Sequence, residues 1–156
     1  MTLKMCIAII SHLLIAVSAS AQNLTTENPG WATECLAKDI CELSSSILSQ
    51  NQEVARLSLF NLRGNFVFQI NFPPGISLKH GVFSRIDNFP PRPIKIGFCN
   101  ANECQGTLEF DPDHLYQLKN GHKIAINFVD PNSLEPLSIL IELMGFTLAW
   151  DTFWQL

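Results

Sequence analysis

Five cysteines occur in the 156-residue chain, and four of them, Cys35, Cys41, Cys99 and Cys104, stand in two close pairs where sulfur chemistry is possible. Such pairs serve as disulfides, as a metal centre or as a thiol redox site. Structural zinc favours Cys-x2–4-Cys knuckles, and Cys35-x5-Cys41 set against Cys99-x4-Cys104 fits that spacing poorly. Redox catalysis wants Cys-x-x-Cys, which the sequence lacks. Two disulfides are therefore expected. Four cysteines allow three pairings; the local ones, Cys35–Cys41 and Cys99–Cys104, are favoured because each pair brackets a short polar segment between apolar runs. Closing loops this small stabilises by only about 2 kcal/mol each in the chain-entropy model, so the bridges shape loops more than they hold the fold.

Other reactive side chains form no recognisable constellation. His80 falls in a turn, His114 on a short helix and His122 just past its end, without the His-x-His or His-Glu-x-x-His spacing that aims two rings at one metal; all three read as surface histidines. Gly75-Ile76-Ser77-Leu78-Lys79 lacks the second glycine and the strand-to-helix setting of a nucleophile elbow. Asp111 and Asp113 read as cap and first-turn charges favoured by a helix dipole. Phosphate-cradling glycine loops are missing. No catalytic residue, metal ligand or cofactor site is expected. An enzyme or inhibitor with a loop-assembled site is the alternative, and it would have to bring one of these histidines beside an acid.

Composition narrows the partner. Hydrophobic residues make up 47% of the chain and charged residues 15%, with 10 basic against 14 acidic side chains. The basic residues never cluster, so the electrostatic footprint of a nucleic-acid binder is missing. At the N-terminus, Met1 to Lys4 forms a short basic region, Cys6 to Val17 an apolar run, and Ala19-Ser20-Ala21 a small-residue cleavage site. Residues 1–21 are read as a signal peptide cleaved after Ala21, since the run is shorter than the roughly 20 residues a membrane-crossing helix needs. Removing 21 of 156 residues leaves 135, takes away Cys6 and Lys4, and leaves 9 basic against 14 acidic groups, a charge of −5. Residues 22–29 are expected to be a flexible leader and residues 30–156 one domain.

The elements that must position these residues are mostly strands. Asn65 to Phe72 alternates, with Phe66, Phe68, Ile70 and Phe72 on one face, the period of two of a half-buried strand. Shorter runs at Trp31–Leu36, Val54–Asn61, Gly81–Asp87, Pro93–Phe98, Thr107–Phe110, Lys123–Val129, Leu137–Met144 and Phe146–Trp150 are separated by turn residues. Many short strands at this spacing point to a sandwich or a barrel, with the prolines at strand ends. Asp111 to Gly121 breaks the pattern: an acid at the N-cap, Pro112 in the first helical position, apolar residues at 115 and 118 and a glycine past the end predict one short helix.

All 15 aromatic residues, 11 Phe, 3 Trp and 1 Tyr, lie beyond residue 21. Most are strand core by their alternation. Trp150, Phe153 and Trp154 come where a small domain is running out of core to fill. They either close the open end of the sandwich or present an apolar patch to a partner or membrane surface. An outer-membrane barrel would need repeated strands of about 9–11 residues apolar on their lipid face, longer than most of the runs here.

The ordered set of signals resembles one family. Trp31-x3-Cys35, the second cysteine at 41, Pro73-x-Gly75-Ile76-x-Leu78-x-x-Gly81-Val82 running into Ile86-Asp87, Cys99-x4-Cys104, Leu118-x-x-Gly121 and Leu143-x-Gly145-Phe146-x-x-Ala149 are together similar to the invasion associated locus B family, from about Gly30 to Ala149. The resemblance implies an antiparallel immunoglobulin-like β-sandwich in an exported protein of Gram-negative bacteria, periplasmic or outer-membrane associated. In some pathogens such proteins are linked to entry into host cells such as erythrocytes. It brings no enzymatic activity, cofactor or catalytic residue. The expectation is an all-β envelope protein acting by surface interaction, in invasion or envelope maintenance, with a protein, envelope or host-surface partner.

Overall fold

The computed structural model describes residues 30–37 and 40–155. The expected signal peptide (1–21) and leader (22–29) lie outside the described residues. Ten strands run in chain order: β1 (Trp31–Ala37), β2 (Ile40–Ser49), β3 (Gln52–Leu62), β4 (Asn65–Phe72), β5 (Phe83–Ile86), β6 (Arg92–Pro93), β7 (Lys95–Cys99), β8 (Cys104–Leu108), β9 (Lys123–Val129) and β10 (Pro136–Glu142). Two helices, α1 (Pro112–Asn120) and α2 (Phe146–Phe153), and a 3-10 turn at Leu78–His80 are the other elements among the described residues. A six-stranded sheet has the order β1-β2-β3-β4-β8-β7 and a four-stranded sheet the order β10-β9-β5-β6. Every pairing is antiparallel. The fold is an all-β sandwich, as expected, with one helix more than the sequence reading supplied.

Alternation builds the large sheet's inner face. Phe68, Ile70 and Phe72 of β4 are buried, and the register sets Phe68 between Leu59 of β3 and Leu108 of β8. Leu59 in turn faces Leu43 of β2. The small sheet answers with Ile86, Ile124, Ile126 and Ile141, all buried in the same core as Leu118 of α1 and Phe146 of α2. Both sheets meet at one corner. The run expected as one strand, Pro93–Phe98, divides there: β6 pairs with β5 and β7 with β8. Between them the buried Ile94 donates its backbone N–H to Val82 O at 2.9 Å. The two-residue β6 is an edge, where Pro93 breaks no ladder.

Two expectations are corrected. Strand β2 was not among the predicted runs, because Ser44-Ser45-Ser46 hides its period. Structurally, Cys41, Leu43, Ser45 and Ile47 alternate inward, while Glu42, Ser44 and Ser46 point to the outer face and bond Arg56. The expected strand Phe146–Trp150 is instead the first part of α2. Gly145, at φ 88°, stops the extended chain with a backbone angle that glycine adopts freely. Phe146, Ala149, Trp150 and Phe153 then recur at i, i+3, i+4 and i+7, the stripe of a helix packing on a core. Leu148, which strand alternation would place with Phe146 and Trp150, is 77% exposed.

Helix α1 matches its sequence signals. Asp111 caps it, accepting the His114 backbone N–H at 2.6 Å, with Pro112 at the start.

Candidate functional site

Each disulfide closes directly across a hairpin. Cys35 opposes Cys41 between β1 and β2, and Cys99 opposes Cys104 between β7 and β8. Strand register alone thus delivers the sulfurs to each other, and the favoured local pairing is the one formed.

The chemistry-bearing side chains have different partners. Ser77 Oγ and His80 Nδ1 are hydrogen-bonded at 2.8 Å within the 3-10 turn. Both are exposed or half-buried, and no acid is bonded to His80 among the described residues. His122 keeps a largely exposed ring whose Nδ1 lies 3.3 Å from Asp87 Oδ2, the one histidine set beside an acid side chain among the described residues; the same carboxylate accepts the His122 backbone N–H at 2.8 Å and that of Lys123 at 3.2 Å. The His122 N–H is the main cause holding the Asp87 carboxyl below its ordinary range. Among the described residues, no group of three or more His, Cys, Asp and Glu side chains is arranged to hold a metal ion.

His114 corrects the expectation of a surface histidine. It is fully buried, with its ring centroid 5.2 Å from that of Phe68 and 6.3 Å from that of Phe110. Nδ1 bonds Glu109 O at 2.9 Å, and Nε2 has no partner. The carbonyl can only accept, so the neutral ring donates from Nδ1 and leaves a bare lone pair on Nε2. Burial pushes the ring's pKa below its ordinary 6.5, and the nearby Arg92 charge acts in the same direction; the Glu109 bond and Asp111 oppose them. Sequence spacing put His114 on the third residue of α1, but Asp111 had to cap the helix before the ring turned inward. Asp111 also takes Arg92 bidentately, Nη1 to Oδ2 at 2.7 Å and Nη2 to Oδ1 at 3.2 Å, the chief cause of its lowered pKa.

Position and exposure divide the three aromatic residues expected to form a partner-binding patch. Trp150 is 5% exposed and Phe153 fully buried, so these two close the end of the sandwich. Trp154 is 62% exposed. Its ring is nonetheless held, stacked on Phe66 at 5.4 Å and 19° and on Trp150 at 5.6 Å and 29°. Phe66 also meets Phe110 and Phe153, so β4, α1's approach and α2 share one aromatic cluster. Lys119 of α1 ties the helices together through Asp151 at 2.9 Å, its ammonium lying 5.9 Å from the Trp150 ring centre. Trp31 of β1 packs edge-on against Phe146 at 4.9 Å and donates its indole N–H to Glu142 O. Leu148 and Trp154 are thus the apolar groups that α2 and its end turn to solvent.

A second polar assembly lies on the outer face of the large sheet and was not visible in the sequence. Arg56 donates to Glu42, Glu53, Ser44 and Ser46 at 3.0–3.4 Å, and Ser58 donates to Glu42 at 2.6 Å. Beside it, Glu53, Arg56, Asn71, Asn102 and Glu103 line a cleft of about 160 Å³. Asn71 donates to Glu103 at 2.7 Å across it. These groups satisfy one another, and the network reads as the device that lets a serine-rich strand sit in the middle of a sheet.

Two antiparallel sheets around one core, with a local disulfide at each of two hairpins and an aromatic helix closing one end, define an all-β sandwich protein. The model of the Invasion associated locus B (IalB) protein family matches residues 25–153, and the chain belongs to that family. The solved structure of invasion associated protein B from Bartonella henselae matches with a TM-score of 0.70 and 22% identity, covering 81% of this chain and 94% of that one. At that identity the likeness shows a shared fold. No curated protein matches the chain.

Proposed function

We propose that this protein is an exported, non-enzymatic envelope component associated with host-cell invasion, working in the periplasm or at the outer membrane through surface contact. Family membership supports the invasion association, and two disulfides suit an oxidising compartment. The partner is a protein of the envelope or of the host surface. The contact is made at the end of α2, through the exposed Trp154. A single observation carries that assignment: Trp154 is mostly exposed yet fixed between Phe66 and Trp150. A rigid exposed indole loses little conformational freedom on binding, and such aromatics are the residues on which interfaces concentrate their energy.

The test is retention of the purified, disulfide-bonded protein on envelope fractions and on erythrocytes. Wild type is retained, and Trp154→Ala weakens retention about 30-fold, the equivalent of a 2 kcal/mol interface anchor, while still folding with a cooperative, if lower, thermal transition, since its stacking on Phe66 and Trp150 is lost. A wild-type protein that stays in the supernatant with both surfaces refutes the interaction; equal retention of the variant refutes the assignment to Trp154.

A further inference from the structure

The outer face of the four-stranded sheet holds an open hollow of about 310 Å³ framed by Phe83, Arg85, Pro91 and Asn127. Strand register assembles it. Phe83 of β5 lies opposite Pro93 on one side and Asn127 of β9 on the other, and Asn127 lies opposite Ser138 of β10. Arg85, two residues along β5, shares the face of Phe83.

Phe83 is 40% exposed, although its strand neighbours Ser84 and Ile86 are buried. Its ring is seated over Gly81, where an added Cβ would come 3.0 Å from Cε2; the glycine is what allows so close an approach. The Asn127 amide is fixed from two sides, Nδ2 donating to Ala125 O at 3.2 Å and Oδ1 accepting from Ser138 Oγ at 2.7 Å. One N–H and one lone pair remain to be used. Arg56 and Arg92 both hold carboxylates, but the exposed Arg85 has no acidic partner among the described residues.

We propose that this hollow binds a carboxylate-bearing sugar residue, a site separate from the Trp154 contact. An aromatic face accepts the apolar C–H face of a pyranose ring. The planar guanidinium takes a carboxylate bidentately, and the fixed Asn127 amide pairs with ring hydroxyls. Volume agrees: about 300 Å³ is the lower end of small-ligand sites, suited to one residue of a saccharide. A neutral sugar leaves Arg85 unused, and a bare anion leaves Phe83 and Asn127 unused.

The experiment is a titration of the 15N-labelled, disulfide-bonded protein, followed by amide chemical shifts, with glucuronate, glucose, acetate and inorganic phosphate as separate titrants. Glucuronate produces saturable shifts centred on Phe83, Arg85 and Asn127, and the other three bind at least tenfold more weakly. Arg85→Ala and Phe83→Ala each weaken glucuronate binding tenfold or more while leaving the remaining spectrum in place. Trp154→Ala binds glucuronate as wild type does, so this site and the partner contact fail or survive independently. Absence of saturable shifts, shifts centred elsewhere, or equal binding of acetate or phosphate overturns the proposal, as does glucose binding as tightly as glucuronate.

Discussion

Truncating Phe68 tests the sandwich at its centre. The ring is fully buried, set between Leu59 and Leu108 by register and bounded by Phe110 and His114 at 6.1 and 5.2 Å between ring centres. A buried aromatic takes about 150–250 Å² out of water, which at about 25 cal/mol per Å² is about 4–6 kcal/mol. Alanine keeps part of that, and neighbours on four sides resist collapse into the gap, so Phe68→Ala should cost about 3–5 kcal/mol. Against a total stability of about 5–15 kcal/mol for a domain, that is a large share. Urea unfolding followed by tryptophan fluorescence reads it directly, because Trp31 and Trp150 both pack on Phe146. Val67, the next residue, points to the opposite face and is half-buried; Val67→Ala should cost about 1 kcal/mol or less. A loss under 1 kcal/mol for Phe68→Ala, or equal losses for the two variants, would refute the assignment of faces to β4.

Stability should fall as pH drops below 6.5. Burial keeps the folded pKa of His114 below that ordinary value, so the unfolded chain takes up the proton first; the contribution is full above 6.5 and is lost on acidification toward the lower folded value. Chemical denaturation at a series of pH values should show this slope, and His114→Phe should reduce it; an equal slope in the variant would assign the effect to other groups. Cys99→Ser should lower the melting temperature by removing about 2 kcal/mol, without abolishing folding. Thermal melts by circular dichroism that are unchanged by the substitution or by reducing agent would contradict a stabilising role for that bridge.

Legibility in the sequence followed the strength of local periodicity. Strand β4 was readable to its boundaries because four apolar residues alternate without interruption, and α1 because cap, proline and terminal glycine agree. Serines obscured β2: their burial depends on Arg56, 10 residues or more away in sequence, bonding Ser44 and Ser46 from the neighbouring strand. Phe146–Trp150 fits both a period of two and a helical stripe, and only the positive φ of Gly145 decides between them. The disulfide pairs were legible because hairpin register is local. The Phe83 hollow was not, since it joins β5, β9 and the segment before β6 through pairings that no short window of sequence contains.

Placement of the two disulfides has a mechanical consequence. In the six-stranded sheet β1 and β7 are the two outermost strands, and each is riveted to its inner neighbour. A sheet under tension opens most easily by unzipping its border one hydrogen bond at a time. Here a tug on the chain ahead of β1 can undo the ladder only as far as Cys35, after which the load falls on a covalent bond. Reduction would remove that stop and let a pulled β1 peel as far as the link that joins it to β2.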